Sequence, residues 1–279
     1  MMGTRLETIS VGQIDYANAW PIFHGLKLDR ADISIVAKVP AELNRMLEDG
    51  QLQLSAVSSY AYAKNSDKLM LLPQLSVGTV GRVHSLFLFL KQPIDKAKPE
   101  RIALTNASAT TVNLLKIVME LHFDCHPAYE TMPPDLDLML ANADGALLIG
   151  DPAIQASWNR QDLYRIDLGE LWNQFTGLGM TYAVVAVNRE AAANDPESIR
   201  YIHRLLLQNK RKNLADPDSM IRRACRELGG EESFWRTYFT ELQYDFGPQL
   251  QAGLQLYCKY AEQLGLLEKH VQFDFFDAN

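Results

Sequence analysis

Residues 33–39 (ISIVAKV) read as a strand. Pro40 then opens a run in which Leu43, Met46 and Leu47 share one helical face, Gly50 ends it, and residues 52–57 (LQLSAV) are strand again. This succession constrains the fold more than any other feature. Two strands joined through a helix run parallel, and a parallel sheet must have its faces covered by helices. The alternation continues along the chain. Residues 83–90 read as a strand buried on both faces, and 101–104 as a strand followed by a helix from about 110 to 122. A strand at 145–149 leads into a helix begun by Asp151-Pro152, and 182–187 returns as a strand. After Asn188 the character turns helical. Asp195-Pro196, Asp216-Pro217 and Gly247-Pro248 each precede an amphipathic run, with proline where no backbone donor is needed. Residues 271–276 read as a last strand.

The pattern predicts an α/β protein of two lobes. Lobe I is discontinuous, 1–91 plus 184–279, and includes the C-terminal helices; lobe II, 92–183, is inserted. The segment 91–99 (KQPIDKAKP), charged and twice broken by proline, reads as a crossing between lobes or a surface connection. In such a fold a ligand belongs in the cleft outside the carboxyl ends of the strands. The 279 residues suffice for two modest cores, and a net charge of −7 argues against nucleic acid. No apolar run is long enough to span a membrane, and MMGTRLETISVG lacks the basic and apolar regions of an export signal. Cys125, Cys225 and Cys258 are odd in number and far apart, as in a reduced, cytoplasmic protein.

Four strand ends place small polar groups at a helix start: Asn18, Ser58 with Ser59, the segment from Asn106 to Thr111, and Gly150 with Asp151. Helix starts leave backbone N–H groups unpaired and carry partial positive charge, so they hold carboxylate or phosphate without lysine or arginine. Each site also has an ordinary explanation as an N-cap. Asp151 ahead of Pro152 is the plainest cap, whereas the three hydroxyls of Ser108, Thr110 and Thr111 exceed what one cap needs. Convergence of the four ends on one cleft predicts a site for a small organic anion. His84 and Ser85, as neighbours in a strand, point to opposite faces; Ser85 is expected to face the cleft and His84 the surface or the packing. His24, near the cleft, is a candidate proton carrier. His122 and His126 have the i,i+4 spacing of metal ligands, but a helix end alone favours histidine and no further ligands stand nearby, so no metal is expected. Neither a glycine-rich nucleotide fingerprint nor a Gly-x-Ser-x-Gly elbow occurs.

The stretches IDYANAWPIFHGL, VPAELNRMLEDGQLQLSAVSSYAYA, GRVHSLFLFL, LTNASATTVNLL, ALLIGDPAI, IDLGELWNQFTGL and LQYDFGPQLQAGLQLYCKYAEQLGLL follow one another along nearly the whole chain. In that order and spacing they resemble the chorismate dehydratase (MqnA) family of the futalosine route to menaquinone. IGD and DLGELWxxxTGL are the most specific elements. The resemblance implies a type 2 periplasmic-binding-protein-like fold, with a ligand cleft between two α/β lobes. It implies a carbon–oxygen lyase that removes water from chorismate to give 3-[(1-carboxyvinyl)oxy]benzoate, with no cofactor and no metal. The partner implied is a small dicarboxylate, with no nucleic acid and no membrane.

Together with the strand-end reading, it assigns catalysis to Asn18 and Ser85, and substrate binding to Ser58, Ser59, Asn106, Ser108, Thr110, Thr111, Gly150, Asp151 and Thr176. Asn18 and Ser85 are not strong bases, so they are expected to orient the substrate while its own enolpyruvyl carboxylate takes the C3 proton and aromatisation drives the reaction. The sister enzyme, 1,4-dihydroxy-6-naphthoate synthase, is expected to carry His-Glu where this chain has Gly150-Asp151, which favours the dehydratase. A non-catalytic small-anion-binding protein of the same fold is the other alternative, and it usually carries an export signal. Where the family usually continues TGL with proline and an aromatic, this chain has Gly179-Met180, which predicts a looser hinge.

Overall fold

Two five-stranded sheets, joined by two short crossings, make up the computed structural model, which describes residues 8–278. The reading of residues 1–12 as free of an export signal lies largely outside the described residues. The strands are β1 (Ile9–Ile14), β2 (Ile33–Lys38), β3 (Leu54–Ser58), β4 (Leu69–Thr79), β5 (Leu86–Leu90), β6 (Arg101–Thr105), β7 (Ala128–Met132), β8 (Gly145–Ile149), β9 (Tyr164–Asp167) and β10 (Met180–Asn188). The helices of the first half are α1 (Trp20–Phe23), α2 (Pro40–Glu48), α3 (Ser59–Lys64), α4 (Ala109–Leu121), α5 (Leu136–Ala141), α6 (Gly150–Asn159) and α7 (Leu168–Thr176). Those after β10 are α8 (Arg189–Asn194), α9 (Pro196–Ala215), α10 (Asp218–Leu228), α11 (Glu232–Glu241) and α12 (Pro248–Gln263).

The first sheet has the order β2-β1-β3-β10-β4 and the second β7-β6-β8-β5-β9. As the strand–helix–strand spacing requires, β1 is parallel to β2 and β3, and β6 is parallel to β7 and β8. β10 runs antiparallel to β3 and β4, and β5 antiparallel to β8 and β9. Each sheet thus holds one reversed strand, and in both cases it is the strand that follows a crossing. β5 is built for this interior position. Leu88 and Leu90 enter the main core while Phe89 enters a second core beneath the other face, the period of two expected of a pleated strand.

The sheets change at positions other than those the sequence suggests. β5 belongs to the second sheet, so the first crossing is 80–85 rather than 91–92; the return is 177–179 rather than 183–184. The charged segment after Leu90 is a surface connection within the second lobe, because β5 ends there and its neighbours β8 and β9 lie in that lobe. Residues 271–276 form no strand, only an isolated bridge between Phe275 and Leu71. Helix starts are as read at α9, where Asp195 accepts from the Ser198 N–H (3.1 Å), and at α12, which opens with Pro248.

Both crossings are clamped. Asp167 caps α7, accepting from the N–H groups of Gly169 (2.9 Å) and Glu170 (3.1 Å), and also accepts from Val83 (3.1 Å) and His84 (2.8 Å) of the first crossing. A Cβ on Gly169 would lie 2.6 Å from the Gly81 carbonyl oxygen, so only glycine lets α7 sit this close. At the return, the Trp172 indole donates to the Gly179 carbonyl (3.0 Å), and Gly253 of α12 packs against the same carbonyl. The segment expected to be a looser hinge is closely packed because Trp172 and α12 take the place of a proline.

Candidate active site

After β1 the chain turns through a short 3-10 turn (Ala17–Ala19) directly into α1, and Pro21 lies in the first turn of that helix. Neither turn nor helix has a side-chain cap. Asn18 is therefore not a cap, and its Oδ1 is buried without a hydrogen-bond partner. Two buried asparagines of α9 fix the segment from behind. Asn209 donates to the carbonyls of Ile22 (2.9 Å) and His24 (3.1 Å), and Asn213 to those of Pro21 (3.1 Å) and His24 (2.9 Å). His24 lies against Trp20; burial, then the charge of Arg223, lowers its pKa.

Across from Asn18 stands the start of α6. Gly150 has φ +65°, and a Cβ there would come within 2.9 Å of the Tyr16 ring. Asp151, expected as a plain cap, is not one: α6 begins at Gly150 with no side-chain cap. The Asp151 carboxylate instead reaches the first lobe, where Oδ1 accepts from the Ala17 N–H at 3.1 Å. Burial raises its pKa to about 6; the Ala17 N–H and Arg223 hold it down, and Asp15 pushes it up.

The remaining strand ends make contacts of their own. Ser58 caps α3, accepting from Ala61 N–H (3.2 Å), while the Ser59 hydroxyl is buried without a partner. Thr110 joins the lobes: its Oγ1 accepts from the Tyr60 N–H (2.9 Å) and its carbonyl accepts from the Tyr257 hydroxyl of α12 (3.1 Å). Ser108 caps α4 and also donates to Thr111 Oγ1 (3.2 Å), so two of the three hydroxyls form the cap and the third bridges. Asn106 is exposed at the end of β6. Thr176 lies apart. Its hydroxyl donates back to Trp172 O (2.8 Å), and its neighbour Phe175 packs on His122, at the far end of α4 from Ser108.

Ser85 is buried, donates to Val83 O (3.2 Å) and receives the Gly150 N–H on its own carbonyl (2.7 Å), which pins the first crossing to α6. The alternation argument for His84 and Ser85 does not apply, because both precede β5 and His84 has φ +59°. His84 packs at the edge of the lobe interface, 2.5 Å from a Glu241 carboxylate oxygen. Among the described residues no cluster of three or more histidine, cysteine or carboxylate groups is arranged for a metal; His126 pairs with Glu120 at 2.7 Å.

Asn18 Oδ1 and Ser59 Oγ are both buried and unpaired. Each unmet group costs about 1–3 kcal/mol, a cost that a hydrogen-bond donor reaching it would offset. Sequence reasoning missed Asp167, whose capping role lay inside the DLGE stretch, and Tyr238 of α11. The Tyr238 side chain is fully buried beside Ser85, and its hydroxyl makes no well-directed hydrogen bond.

A family model described as menaquinone biosynthesis matches residues 9–263. A chorismate dehydratase of Thermus thermophilus is 35% identical over 266 residues, covering 90% of this chain and 93% of that protein. A 1,4-dihydroxy-6-naphthoate synthase of the same organism is 23% identical over 274 residues, 94% of this chain and 96% of that protein. Among solved structures, a protein of Archaeoglobus fulgidus superposes with a TM-score of 0.73 at 21% identity, covering 95% of this chain and all of that one. The periplasmic aliphatic sulphonate binding protein of Escherichia coli gives 0.66 at 16% identity, over 95% of this chain and 90% of that one. The fold is that of the periplasmic binding proteins, two α/β lobes about a cleft.

Proposed function

The chain belongs to the menaquinone biosynthesis family, and from that premise we propose that it is a chorismate dehydratase. It is a hydro-lyase of the cytoplasm that converts chorismate to 3-[(1-carboxyvinyl)oxy]benzoate, with a small dicarboxylate as its partner and neither nucleic acid nor membrane. The likeness to a chorismate dehydratase along nearly the whole chain carries this reading. Gly150 supports it against the naphthoate synthase. Its positive φ and the Tyr16 ring leave no room for a side chain, so the histidine expected of the sister enzyme has no place here.

In this reaction the C3–H and C4–O bonds break and the ring becomes aromatic, so the protein's task is orientation and control of one proton. Asn18 and Ser85 touch the reacting ring, Ser59 and the helix starts at Ser58 and at Ser108 to Thr111 receive the two carboxylates, and Gly150 forms the wall beside the ring. Asn106 stands at the periphery, and Thr176, whose hydroxyl bonds back within α7, takes no part. The substrate's enolpyruvyl carboxylate takes the C3 proton. Asp151 has one oxygen engaged by Ala17 and acts as a contact between the lobes rather than as the ring base.

Purified protein given chorismate should produce the aromatic ether, seen by its ultraviolet absorption and by mass, and should leave cyclic de-hypoxanthine futalosine unchanged. No product from chorismate sinks the reading; turnover of the futalosine derivative replaces it with the sister activity. Asn18→Ala should lower kcat by about 100-fold with KM within about threefold, as for a group that acts on the transition state. An unchanged kcat removes Asn18 from the mechanism.

A further inference from the structure

Tyr238 lies on α11, in a part of the chain that no strand-end argument reaches. Its ring is held from three directions: Phe234 stacks on it at 6.0 Å and 12°, Trp235 meets it edge-on at 5.6 Å, and Phe239 lies at 5.6 Å. The ring is 0% exposed, and the hydroxyl makes no well-directed hydrogen bond. Yet it sits beside Ser85, whose carbonyl receives the Gly150 N–H, so the hydroxyl occupies the corner between the first crossing and the start of α6. A phenylalanine would fill the same packing without an unmet donor. A rigid aromatic frame around an unpaired hydroxyl is what a preorganised hydrogen-bond donor requires.

The surroundings restrict what this donor meets. Burial raises the Tyr238 pKa far above neutrality, the Ser85 side chain opposes the rise, and the carboxylates of Asp151 and Asp167 add to it. The phenol therefore keeps its proton and donates. The two nearby carboxyl groups make this corner unsuited to a substrate carboxylate and suited to a neutral oxygen. Chorismate has one free neutral hydroxyl, at C4, and it is the group that leaves.

Resting on the dehydratase reading above, we infer that Tyr238, beside Ser85, donates the hydrogen bond that receives the departing C4 hydroxyl. As the C3–H bond breaks, its electron pair forms the new ring double bond and the C4–O pair departs with oxygen. The enolpyruvyl carboxylate that takes the C3 proton passes it to the departing oxygen, which leaves as water. Tyr238 stabilises charge growing on that oxygen and keeps its own proton throughout.

Tyr238→Phe tests this directly, with Tyr244→Phe, a second buried and unpaired hydroxyl, as the comparison. Both variants should melt at or above the wild-type temperature, since each loses an unmet polar group. Tyr238→Phe should lower kcat by about 10–100-fold, and Tyr244→Phe should leave it unchanged. The product lacks an oxygen at C4, so its Kd, measured by calorimetry, should be the same within about threefold for Tyr238→Phe and wild type. A normal kcat for Tyr238→Phe overturns the inference. A loss of product affinity equal to the loss of kcat also overturns it, because the hydroxyl would then hold another part of the ligand. A wild-type protein inert toward chorismate overturns the functional reading and this inference with it, and differs from the other two failures by the absence of product in every variant.

Discussion

The sequence places Asp151 as a helix cap, and its carboxylate proves to span the gap to Ala17 in the other lobe. The cost of holding it there has a sign that a pH series resolves. Its pKa is raised from 3.8 to about 6, chiefly by burial, so between those values the folded protein holds the proton more tightly than the unfolded chain. Stability contributed by the protonated group is present below pH ~4 and is lost as pH rises through ~6. Two pH units correspond to about 3 kcal/mol, and the partial exposure of the side chain reduces this to about 1–2 kcal/mol. Asn at this position keeps an oxygen for the Ala17 N–H without the charge. Asp151→Asn should therefore raise Tm by roughly 2–6 °C at pH 8 and leave it unchanged at pH 4. Equal shifts at both pH values would mean that ionisation is not what the burial opposes. At this scale sequence reading recovered residue types and missed their partners. Ser58 and Ser108 cap as expected, but nothing in the order of residues announces that Asn18 caps nothing, or that a tyrosine on an amphipathic helix has an unpaired hydroxyl.

Elements whose sequence signals are local were legible. α2 is bounded by Pro40 and Gly50, and its core-facing Leu43 and Leu47 recur at i,i+4. β4 was not legible, although it is the longest strand. Pro73 interrupts its apolar run and Gln74 takes φ +59°, so the strand bulges against β10. The carbonyls exposed by that bulge are met from far along the chain: Pro73 O by His203 Nε2 (2.8 Å) and Gln74 O by Lys210 Nζ (2.6 Å) of α9. The crossings were misplaced for a related reason. Charge and proline in 91–99 imitate a linker, whereas the actual crossings are short and held by Asp167, Gly169 and Gly253 in packing that only the folded chain displays. The tightest of these contacts is decisive. A Cβ on Gly253 would stand 1.7 Å from the Gly179 carbonyl oxygen, which is backbone and cannot rotate aside. Gly253→Ala must push α12 off the return crossing, and it should cost about 3 kcal/mol or more in a urea titration. A loss below about 0.5 kcal/mol would show that α12 shifts freely there.

On the scale of the whole molecule, the two sheets share one plan: three parallel strands, then the reversed strand that has just crossed over, then a fifth. No repeat is visible in the sequence, so the likeness comes from the same requirement met twice, a parallel sheet completed by a chain arriving from the other lobe. The lobes nevertheless share a core. Val11 and Leu54 of the first sheet belong to one buried cluster with Leu88, Leu104 and Leu147 of the second, continued through Leu114 of α4 and Tyr257 of α12. Direct polar contacts between the lobes are few by comparison, among them Ala17 with Asp151 and Tyr60 with Thr110. A small opening at the rim of the cleft need break only these hydrogen bonds, whereas unfolding one lobe alone would expose the shared core. Burial at about 25 cal/mol per Å² makes the second process far more costly. Calorimetry should accordingly show one endotherm for both lobes, with calorimetric and van't Hoff enthalpies in agreement. Two endotherms, or a van't Hoff value near half the calorimetric one, would mean that the shared core does not couple the lobes and that their contact is confined to the polar bridges at the cleft.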